Sequence, residues 1–523
     1  MCAYQGVNGV PMCANGFILN RVVRQSWGWK GFVVSDCDAI KTMMIRGSPG
    51  ANTNFGHAYS LSGAMAVQDG VRAGCDSNCG DPYRMFGAAA IAQGLVTHTQ
   101  LDASVKRLLR PMFQLGLFDP PHVQPPWAFY NWSHVGTEEH KQLALEGARQ
   151  SLVLLSRGRA KPGRTSNAPL LPLPRGTKLL VAGPLANATR ILLGNYNGDA
   201  CHGGQGGCLP SLAQSIMSFN GAAALTSVVS AESNGCAAQL NQSLVDATVA
   251  TAKVSDVVVL VLGGECHEGE GTDRDSLFLP GYQSALLEEV IALNVPLVVV
   301  IINGGPYAID AIAGRDRIAI LQASFPGQAG GLAIAEALFG ETNPSGKLTT
   351  TIYPASYAHG EPLGGTPWMD SGVRPDGAAN AGRTHMWYTG TPLFPFGYGL
   401  SYTSFELSFV APSGGNATVK LVNVTRALSA LTYHIRVKNV GTRRGKETVL
   451  AFWSPPDTVD PLLRQQLVGF EGVTLDPGKS AVVTLVLPSA HELATVEENG
   501  DRNFYVGDYV LRFSRGHGNV LET

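Results

Sequence analysis

Four short apolar runs in the middle of the chain constrain its fold more than any other feature. They consist of β-branched and other apolar residues without polar alternation, and they are Leu179–Ala182, Val257–Leu262, Leu297–Ile302 and Ile318–Leu321. Segments of helical length separate them. Such runs are typical of parallel strands covered by helices on both faces. We therefore predict an α/β sandwich with a mostly parallel sheet over residues 138–352.

The C-terminal part of the chain has a different periodicity. Apolar and polar residues alternate there, and the apolar positions are Leu431, Tyr433, Ile435 and Val437, then Tyr509, Leu511 and Phe513. Period two indicates strands with one buried face. About seven such strands predict an all-β sandwich of residues 405–523. A Gly/Pro-rich connecting segment, 353–404, precedes it.

Residues 1–118 alternate strand-like runs with helical stretches. The clearest helix is predicted for Leu101–Leu117, with Thr99 as its N-cap. A proline-rich linker, 119–137, follows, and a second amphipathic helix is predicted around His140–Leu155. The linker predicts a domain boundary, so the whole chain is expected to be a multidomain α/β plus all-β protein.

Composition excludes several classes of function. The chain has 523 residues, with 45% hydrophobic and 15% charged residues, which is typical of a globular protein with several domains. Its 38 basic and 40 acidic residues provide no electrostatic basis for binding nucleic acid. Its apolar runs are too short for membrane spans, so no membrane contact is expected. Five Asn-x-Ser/Thr sequons favour an extracellular or luminal location: Asn131, Asn187, Asn241, Asn416 and Asn423.

Two groups of carboxylates follow predicted strands. Asp36 ends the apolar run Gly31–Ser35, where the strands of α/β folds present reactive groups, although an Asp there also serves as a helix N-cap. Glu265, Glu268, Glu270 and Asp273 crowd a Gly-rich loop, which is either a solvated loop or the source of a general acid with a raised pKa. Two carboxylates across an interdomain crevice can hydrolyse a glycosidic bond.

Several longer motifs in collinear order resemble glycoside hydrolase family 3, most closely its β-xylosidase branch. Residues 1–13 resemble the family's strand with an active-site Tyr, and residues 31–38 resemble its nucleophile strand. The other matching segments are 73–80, 304–331, 343–348 and 395–403. The resemblance implies the C-terminal part of a (β/α)₈ TIM-type barrel, then the α/β sandwich, then a fibronectin type III-like sandwich.

The resemblance also implies an activity and its residues. It implies a retaining exo-glycoside hydrolase that releases β-linked xylose from xylo-oligosaccharides, with α-L-arabinofuranosidase activity beside it. Asp36 occupies the nucleophile position and Glu270 the acid/base position, with Glu268 as the alternative. The substrate-binding positions are Tyr4, Met1, Cys37, Glu268 and Arg383. No metal or other cofactor is expected, and the partner is an oligosaccharide. A β-glucosidase and a non-catalytic carbohydrate-binding protein are the alternatives.

The resemblance leads to two further expectations. Cys37 and Cys79 should lie at the ends of neighbouring barrel strands, so a disulfide between them is possible, as is one between Cys201 and Cys208; free buried thiols are the alternative. Residues 1–118 resemble only the last three barrel strands of the family. We therefore expect five more strands and a secretory signal upstream of Met1, and an extracellular or cell-wall location.

Overall fold

The computed structural model describes most of the chain. The described residues are 1–45, 56–120, 122–123, 125–160, 168–198, 208–221, 226–229, 242–264, 268–269, 272–274, 276–359, 373–376, 380–410, 431–456, 459–487, 494–496, 501–503, 505, 509–518 and 520–522. They form two compact units, Met1–Val135 and Gly136–Thr523. Among these residues, no helix combines the length and the apolarity that crossing a membrane requires.

The first unit contains a β-hairpin followed mainly by helices. The hairpin strands are β1 (Gly6–Val7) and β2 (Val10–Pro11). The α-helices are α1 (Ala39–Thr42), α2 (Gly63–Ala73), α3 (Pro82–Ala92) and α4 (His98–Gln114). A π-helix spans Phe17–Ser26, and 3₁₀-helices span Met12–Ala14, Pro126–Phe129 and Trp132–His134.

Three extended segments of this unit run parallel to one another. Cys2 forms a parallel bridge with Ser35, and Val34 forms one with Ser77. Their backbone hydrogen bonds continue on both sides, since Cys2 N–H donates to Val34 O at 2.9 Å and Asp76 N–H donates to Val33 O at 2.7 Å. The predicted strand at 31–35 is therefore the middle one of three adjacent parallel segments, as in part of a barrel wall.

The helix predicted for Leu101–Leu117 differs at both ends. It is α4, which begins at His98 and ends at Gln114, and its N-cap is Thr97 rather than Thr99. The Thr97 hydroxyl accepts a hydrogen bond from Gln100 N–H at 3.3 Å. The Gln100 side chain accepts one from Thr97 N–H at 2.9 Å. This reciprocal capping box satisfies two backbone donors, whereas Thr99 lies inside the first turn.

A six-stranded sheet forms the centre of the second unit. Its strands are β3 (Val153–Arg157), β4 (Leu179–Ala182), β5 (Thr226–Val229), β6 (Val257–Gly263), β9 (Leu297–Ile302) and β10 (Ile318–Gln322), with a small hairpin of β7 (Glu268–Gly269) and β8 (Thr272–Asp273) between them. Their order is β3-β10-β9-β6-β4-β5, and every pair is parallel except β3 with β10. The four predicted runs are confirmed as central, buried parallel strands.

Helices cover this sheet on both faces. They are α5 (Glu138–Ser151), α6 (Leu212–Asn220), α7 (Gln242–Ala252), α8 (Gln283–Ala292) and α9 (Gly330–Phe339), with a 3₁₀-helix at Arg190–Leu193. Successive residues of a strand enter different cores: Val259 lies in one and Leu260 in the other. The predicted helix at His140–Leu155 ends earlier, at Ser151, because the chain from Val153 pairs antiparallel with β10.

The C-terminal part is an antiparallel β-sandwich preceded by two short helices, α10 (Ala355–His359) and α11 (Thr384–Trp387). Its strands are β11 (Phe405–Phe409), β12 (Leu431–Asn439), β13 (Gly445–Ser454), β14 (Gln466–Leu475), β15 (Ser480–Leu487), β18 (Val510–Ser514) and β19 (Leu521–Glu522); β16 (Thr495–Val496) and β17 (Arg502–Asn503) form a separate hairpin. Among the described residues, the sheets are β11-β12-β15 and β14-β13-β18-β19. Tyr433, Ile435, Leu511 and Phe513 face the core, as the alternation predicts.

Candidate active site

Asp36 lies where the middle parallel segment of the first unit ends. Its backbone N–H donates to Cys2 O at 2.8 Å, which continues the pairing between the two segments. Its Oδ1 accepts a hydrogen bond from Cys37 N–H at 2.8 Å. The side chain is half-buried, and Oδ2 makes no hydrogen bond to a described residue. Asp36 thus presents one restrained and one available carboxylate oxygen at the carboxyl end of parallel strands, where such folds place reactive groups.

Tyr4 lies beside Asp36 and is held by its own hydroxyl. The phenol O–H donates to the backbone carbonyl of Cys37, the residue that follows Asp36. On its other side, the Tyr4 carbonyl accepts a hydrogen bond from His57 Nε2, with the two atoms 2.5 Å apart. The first unit therefore brings Tyr4, Asp36 and Cys37 together, and their roles in catalysis and substrate binding stay predictions. Met1, at the start of the same segment, is 76% exposed.

A disulfide fixes the residue after Asp36. Cys37 is bonded to Cys79, as anticipated for this pair, so position 37 carries a cystine and not a thiol. Two hydrogen bonds reinforce the connection: Asp38 N–H donates to Cys79 O at 2.8 Å, and Cys79 N–H donates to Ser35 Oγ at 3.1 Å. The end of the middle segment is thereby attached to the third segment on both sides of Asp36.

Other cysteines are also disulfide-bonded, namely Cys2, Cys13 and Cys208. Cys208 is disulfide-bonded, but its suggested partner, Cys201, lies outside the described residues. Cys2 and Cys13 form a disulfide that sequence reasoning missed. The turn Asn8-Gly9 between two short apolar runs was the available signal, because Asn-Gly favours a tight hairpin and this hairpin brings residues 2 and 13 together.

Asp76 is a second buried carboxylate that sequence reasoning did not single out. Its side chain is inaccessible and forms ion pairs with Arg24 at 2.6 Å and with Arg107 at 2.7 Å. It also accepts a hydrogen bond from Val33 N–H at 3.0 Å, on the segment that leads to Asp36. Burial lowers the pKa of Arg24, and the charge of Asp76 opposes that shift. Asp76 is therefore a positioning residue for the candidate nucleophile strand.

The second carboxylate group belongs to the other unit. Glu268 begins the hairpin of β7 and β8, where it is paired with Asp273. Glu270, the predicted acid/base, and Glu265 lie outside the described residues. Arg274 follows the hairpin; its guanidinium carbon lies 4.6 Å from the centre of the Tyr307 ring, and it donates a hydrogen bond to Pro306 O at 3.0 Å. The pairing of Asp36 with Glu270 or Glu268 stays a prediction.

Arg383 lies in the second unit, within a cluster of tyrosines. The rings of Tyr353 and Tyr357 are stacked with centroids 4.3 Å apart, and Tyr388 contacts both edge-on. Burial raises the pKa of Tyr357, and the charge of Arg383 and its hydrogen bond to the tyrosine oppose the shift. Thr384 N–H donates to the Tyr353 hydroxyl at 2.8 Å. The predicted contact of Arg383 with substrate stays a prediction.

The comparisons with known proteins agree with this organisation. Residues 1–111 match the glycosyl hydrolase family 3 N-terminal domain and residues 166–402 match the C-terminal domain of the same family. Residues 447–515 match a fibronectin type III-like domain. The chain therefore belongs to glycoside hydrolase family 3.

Several of the similar proteins are named as xylosidases, and other similar solved structures are β-glucosidases. Beta-D-xylosidase 1 of Arabidopsis thaliana is 32% identical over 98% of this chain and 64% of its own length. Beta-xylosidase/alpha-L-arabinofuranosidase 1 of Medicago sativa is 31% identical over the same shares. A solved family 3 exo-β-xylosidase, in complex with a xylobiose aziridine activity-based probe, matches 100% of this chain and 65% of its own, with 29% identity and a TM-score of 0.80. The chain thus spans less than two thirds of the length of these curated relatives.

Proposed function

We propose that this protein is a retaining exo-glycoside hydrolase that releases β-linked xylose from xylo-oligosaccharides. The observation that carries the proposal is the position of Asp36 at the end of three parallel segments, with one carboxylate oxygen unbonded to any described residue and Tyr4 beside it. The names of the similar proteins support xylose as the sugar that is released. An accompanying α-L-arabinofuranosidase activity has the support of the Medicago relative.

The chemistry would use two carboxylates in sequence. Asp36 attacks the anomeric carbon while a general acid, Glu270 or alternatively Glu268, protonates the departing glycosidic oxygen, and a covalent glycosyl-enzyme forms. The same acid, now a carboxylate, then removes a proton from water, which displaces Asp36 from the sugar. Tyr4 and the Cys37–Cys79 disulfide keep the Asp36 backbone in place during both steps.

The nucleophile is tested by Asp36→Asn, which keeps the shape of the side chain and removes its charge. Turnover of an aryl β-xyloside should fall on the order of 10⁴-fold. Asp38→Asn is the matched control, because Asp38 is a half-buried N-cap two residues along with φ +63°, a conformation that Asn adopts readily. Wild-type turnover by Asp36→Asn would exclude Asp36 as the nucleophile.

Glu270→Gln and Glu268→Gln separate the two candidate acids. Loss of the true acid should slow aryl xylosides with a poor leaving group much more than those with a dinitrophenolate, because the latter departs without protonation. The other variant should slow both substrates equally or not at all. Equal behaviour of both variants on both substrates would contradict an acid at either position.

Two alternatives are distinguished by the same preparations. Faster hydrolysis of aryl β-glucosides than of aryl β-xylosides would favour a β-glucosidase. Binding of xylose without turnover of any aryl glycoside would favour a non-catalytic carbohydrate-binding protein.

We also propose that the protein is secreted and glycosylated. The sequon residues Asn131 and Asn187 are exposed, so both are accessible to the modifying enzyme. Expression in a secreting eukaryotic host should yield protein whose mass falls on treatment with an N-glycan amidase. An unchanged mass would contradict glycosylation.

A further inference from the structure

Three sulfur atoms meet in the core of the first unit. Cys2 and Cys13 form a disulfide, and Cys75 is a buried free thiol. The Cys75 sulfur lies 3.7 Å from that of Cys2, and all three sulfurs lie within 4.8 Å of one another. The three residues are 0–1% exposed. A free thiol therefore touches a disulfide where no external thiol reaches either one.

Backbone hydrogen bonds hold the Cys75 thiol in this position. Cys75 follows the C-cap of α2, and its N–H donates to Gly70 O at 3.0 Å. The S–H group can donate either to Cys2 Sγ or to Ser77 O, which lies 3.3 Å away. Cys2 is held on the opposite side by its bridge to Ser35. The contact thus joins the first and third parallel segments, which flank the segment that leads to Asp36.

We propose that Cys75 is an alternative disulfide partner of Cys2, so that the three cysteines form an internal thiol–disulfide exchange site. The Cys75 thiol gives its proton to solvent hydroxide. Because Cys75 Sγ lies within 4.8 Å of Cys13 Sγ, it first moves toward the extension of the Cys13–Cys2 bond, and from there it attacks Cys2 Sγ. The Cys2–Cys75 bond forms as the Cys2–Cys13 bond breaks, and Cys13 leaves as a thiolate that takes up a proton. One thiol and one disulfide are present before and after, so the step needs neither oxidant nor reductant.

The exchange changes what the disulfide connects. The Cys2–Cys13 bond closes a hairpin over a sequence separation of 11 residues. A Cys2–Cys75 bond would close a loop that contains Asp36 and would link the two segments that flank it. A covalent clamp over the longer loop restricts the unfolded chain more strongly and should resist separation of the three segments.

The surroundings of Cys75 make the exchange slow at neutral pH. Burial raises the pKa of the Cys75 thiol to about 11, the charge of Asp76 adds to the shift, and hydrogen bonds with Tyr83 and with the Ser77 backbone oppose it. The charge of Arg24 also interacts with the Cys75 thiol. Because the thiolate is the attacking species, the exchange rate should rise about tenfold per pH unit between pH 7 and 10.

The wild-type chain provides the first test. Protein held at pH 7 to 10 is quenched in acid, denatured, labelled with a maleimide and mapped by peptide mass spectrometry. Label should appear on Cys13 as it disappears from Cys75, while Cys37 and Cys79 stay unlabelled. Cys75→Ser is the matched control and should leave Cys13 unlabelled. Label confined to Cys75 at pH 10, or Cys13 labelling that persists in the control, would overturn the proposal.

The second test removes the native partner. In Cys13→Ser, refolding of the reduced, denatured protein in a glutathione redox buffer, which reaches both thiols before the core closes, should produce a Cys2–Cys75 disulfide, detected as a cross-linked peptide. The double variant Cys13→Ser/Cys75→Ser should leave Cys2 without an internal partner. Cys2 and Cys75 that both remain free or glutathionylated in Cys13→Ser would overturn the proposal. If this variant does not fold, the wild-type measurement decides.

Discussion

Asp76 shows how one side chain supports a site that it does not enter. Its carboxylate is inaccessible, neutralises Arg24 and Arg107, and accepts a hydrogen bond from the backbone of Val33. Arg24 in turn donates to the carbonyls of Gly31 and Gly74, each at 2.8 Å. One ionic group therefore connects the π-helix, α4 and two of the three parallel segments.

Asp76→Asn should destabilise the first unit by about 3–5 kcal/mol, because it leaves two arginines without their buried counter-charge. Thermal unfolding and hydrogen exchange at the Val33 and Asp76 backbone positions would measure the loss. Asp81→Asn is the control, since Asp81 pairs with Arg84 on the exposed surface and its loss should not change the melting temperature measurably. Equal effects of the two substitutions would contradict the role assigned to Asp76.

His517 should make the sandwich sensitive to acid. Burial, followed by the nearby charges of Lys347 and Arg515, lowers the pKa of His517 from 6.5 to about 4, and Glu447 opposes the shift. Between those two pH values the unfolded chain binds a proton that the folded chain excludes. The free energy of unfolding contributed by His517 is therefore fully present above pH 6.5 and is lost as the pH falls toward 4.

The sign is tested by urea unfolding of wild-type and His517→Gln protein at pH values from 7.5 to 4, followed by tryptophan fluorescence. The wild type should lose more stability than the variant over this range. His434→Gln, at an exposed position on β12, is the control variant and is measured at the same pH values. Parallel slopes for wild type and His517→Gln would refute the prediction.

Helix α4 shows that a local sequence pattern predicts the existence of a helix but not the residues at its two ends. Its apolar spacing identified the helix, but its two ends depended on hydrogen bonds that the spacing does not encode. Thr97 and Thr99 are both plausible caps from residue type, and only Thr97 completes a capping box, with Gln100 three residues later. Pro111 lies in the last turn of the helix, which continues to Gln114.

Thr97→Ala should cost about 1 kcal/mol of local stability, since it removes the N-cap acceptor. The amides of the first turn of α4 should then exchange with solvent about fivefold faster, as measured by hydrogen exchange on the peptide that contains residues 95–105. Thr99→Ala, two residues away on the same exposed surface, should leave those rates nearly unchanged. A larger effect of Thr99→Ala than of Thr97→Ala would contradict the assignment of Thr97 as the N-cap.

At the scale of the second unit, a buried ion cluster joins the α/β part to the sandwich. Glu447 on β13 is 2% exposed and pairs with Lys347 at 2.8 Å and with Arg515 at 3.1 Å. Lys347 also donates to the carbonyls of Gly399 and Arg515, each at 2.9 Å. Burial lowers the pKa of Lys347, and Glu447 opposes the shift. The lysine of the 343–348 motif is thus a structural residue.

Glu447→Gln should destabilise the second unit by about 3 kcal/mol or more, because two buried cations lose their anion. Calorimetry should show the sandwich melting earlier than the rest of the unit, and limited proteolysis should cut it faster. Glu471→Gln, on the exposed side of the neighbouring strand β14, is the control and should leave both measurements unchanged. Unchanged melting of Glu447→Gln would contradict the joining role.

The sequence by itself determined the layers of the molecule, the family and the position of Asp36. The sequence signals of buried parallel strands, alternating strands and motifs are local, because periodicity and turn chemistry act over a few residues. Only the tertiary structure decided that Asp76 meets Arg24 and Arg107, that Cys75 touches Cys2, and that Glu447 meets Lys347. Each of these contacts joins residues 31 to 100 positions apart in the chain. Such pairs form because the fold buries them together, and neither partner carries a local signal of the other.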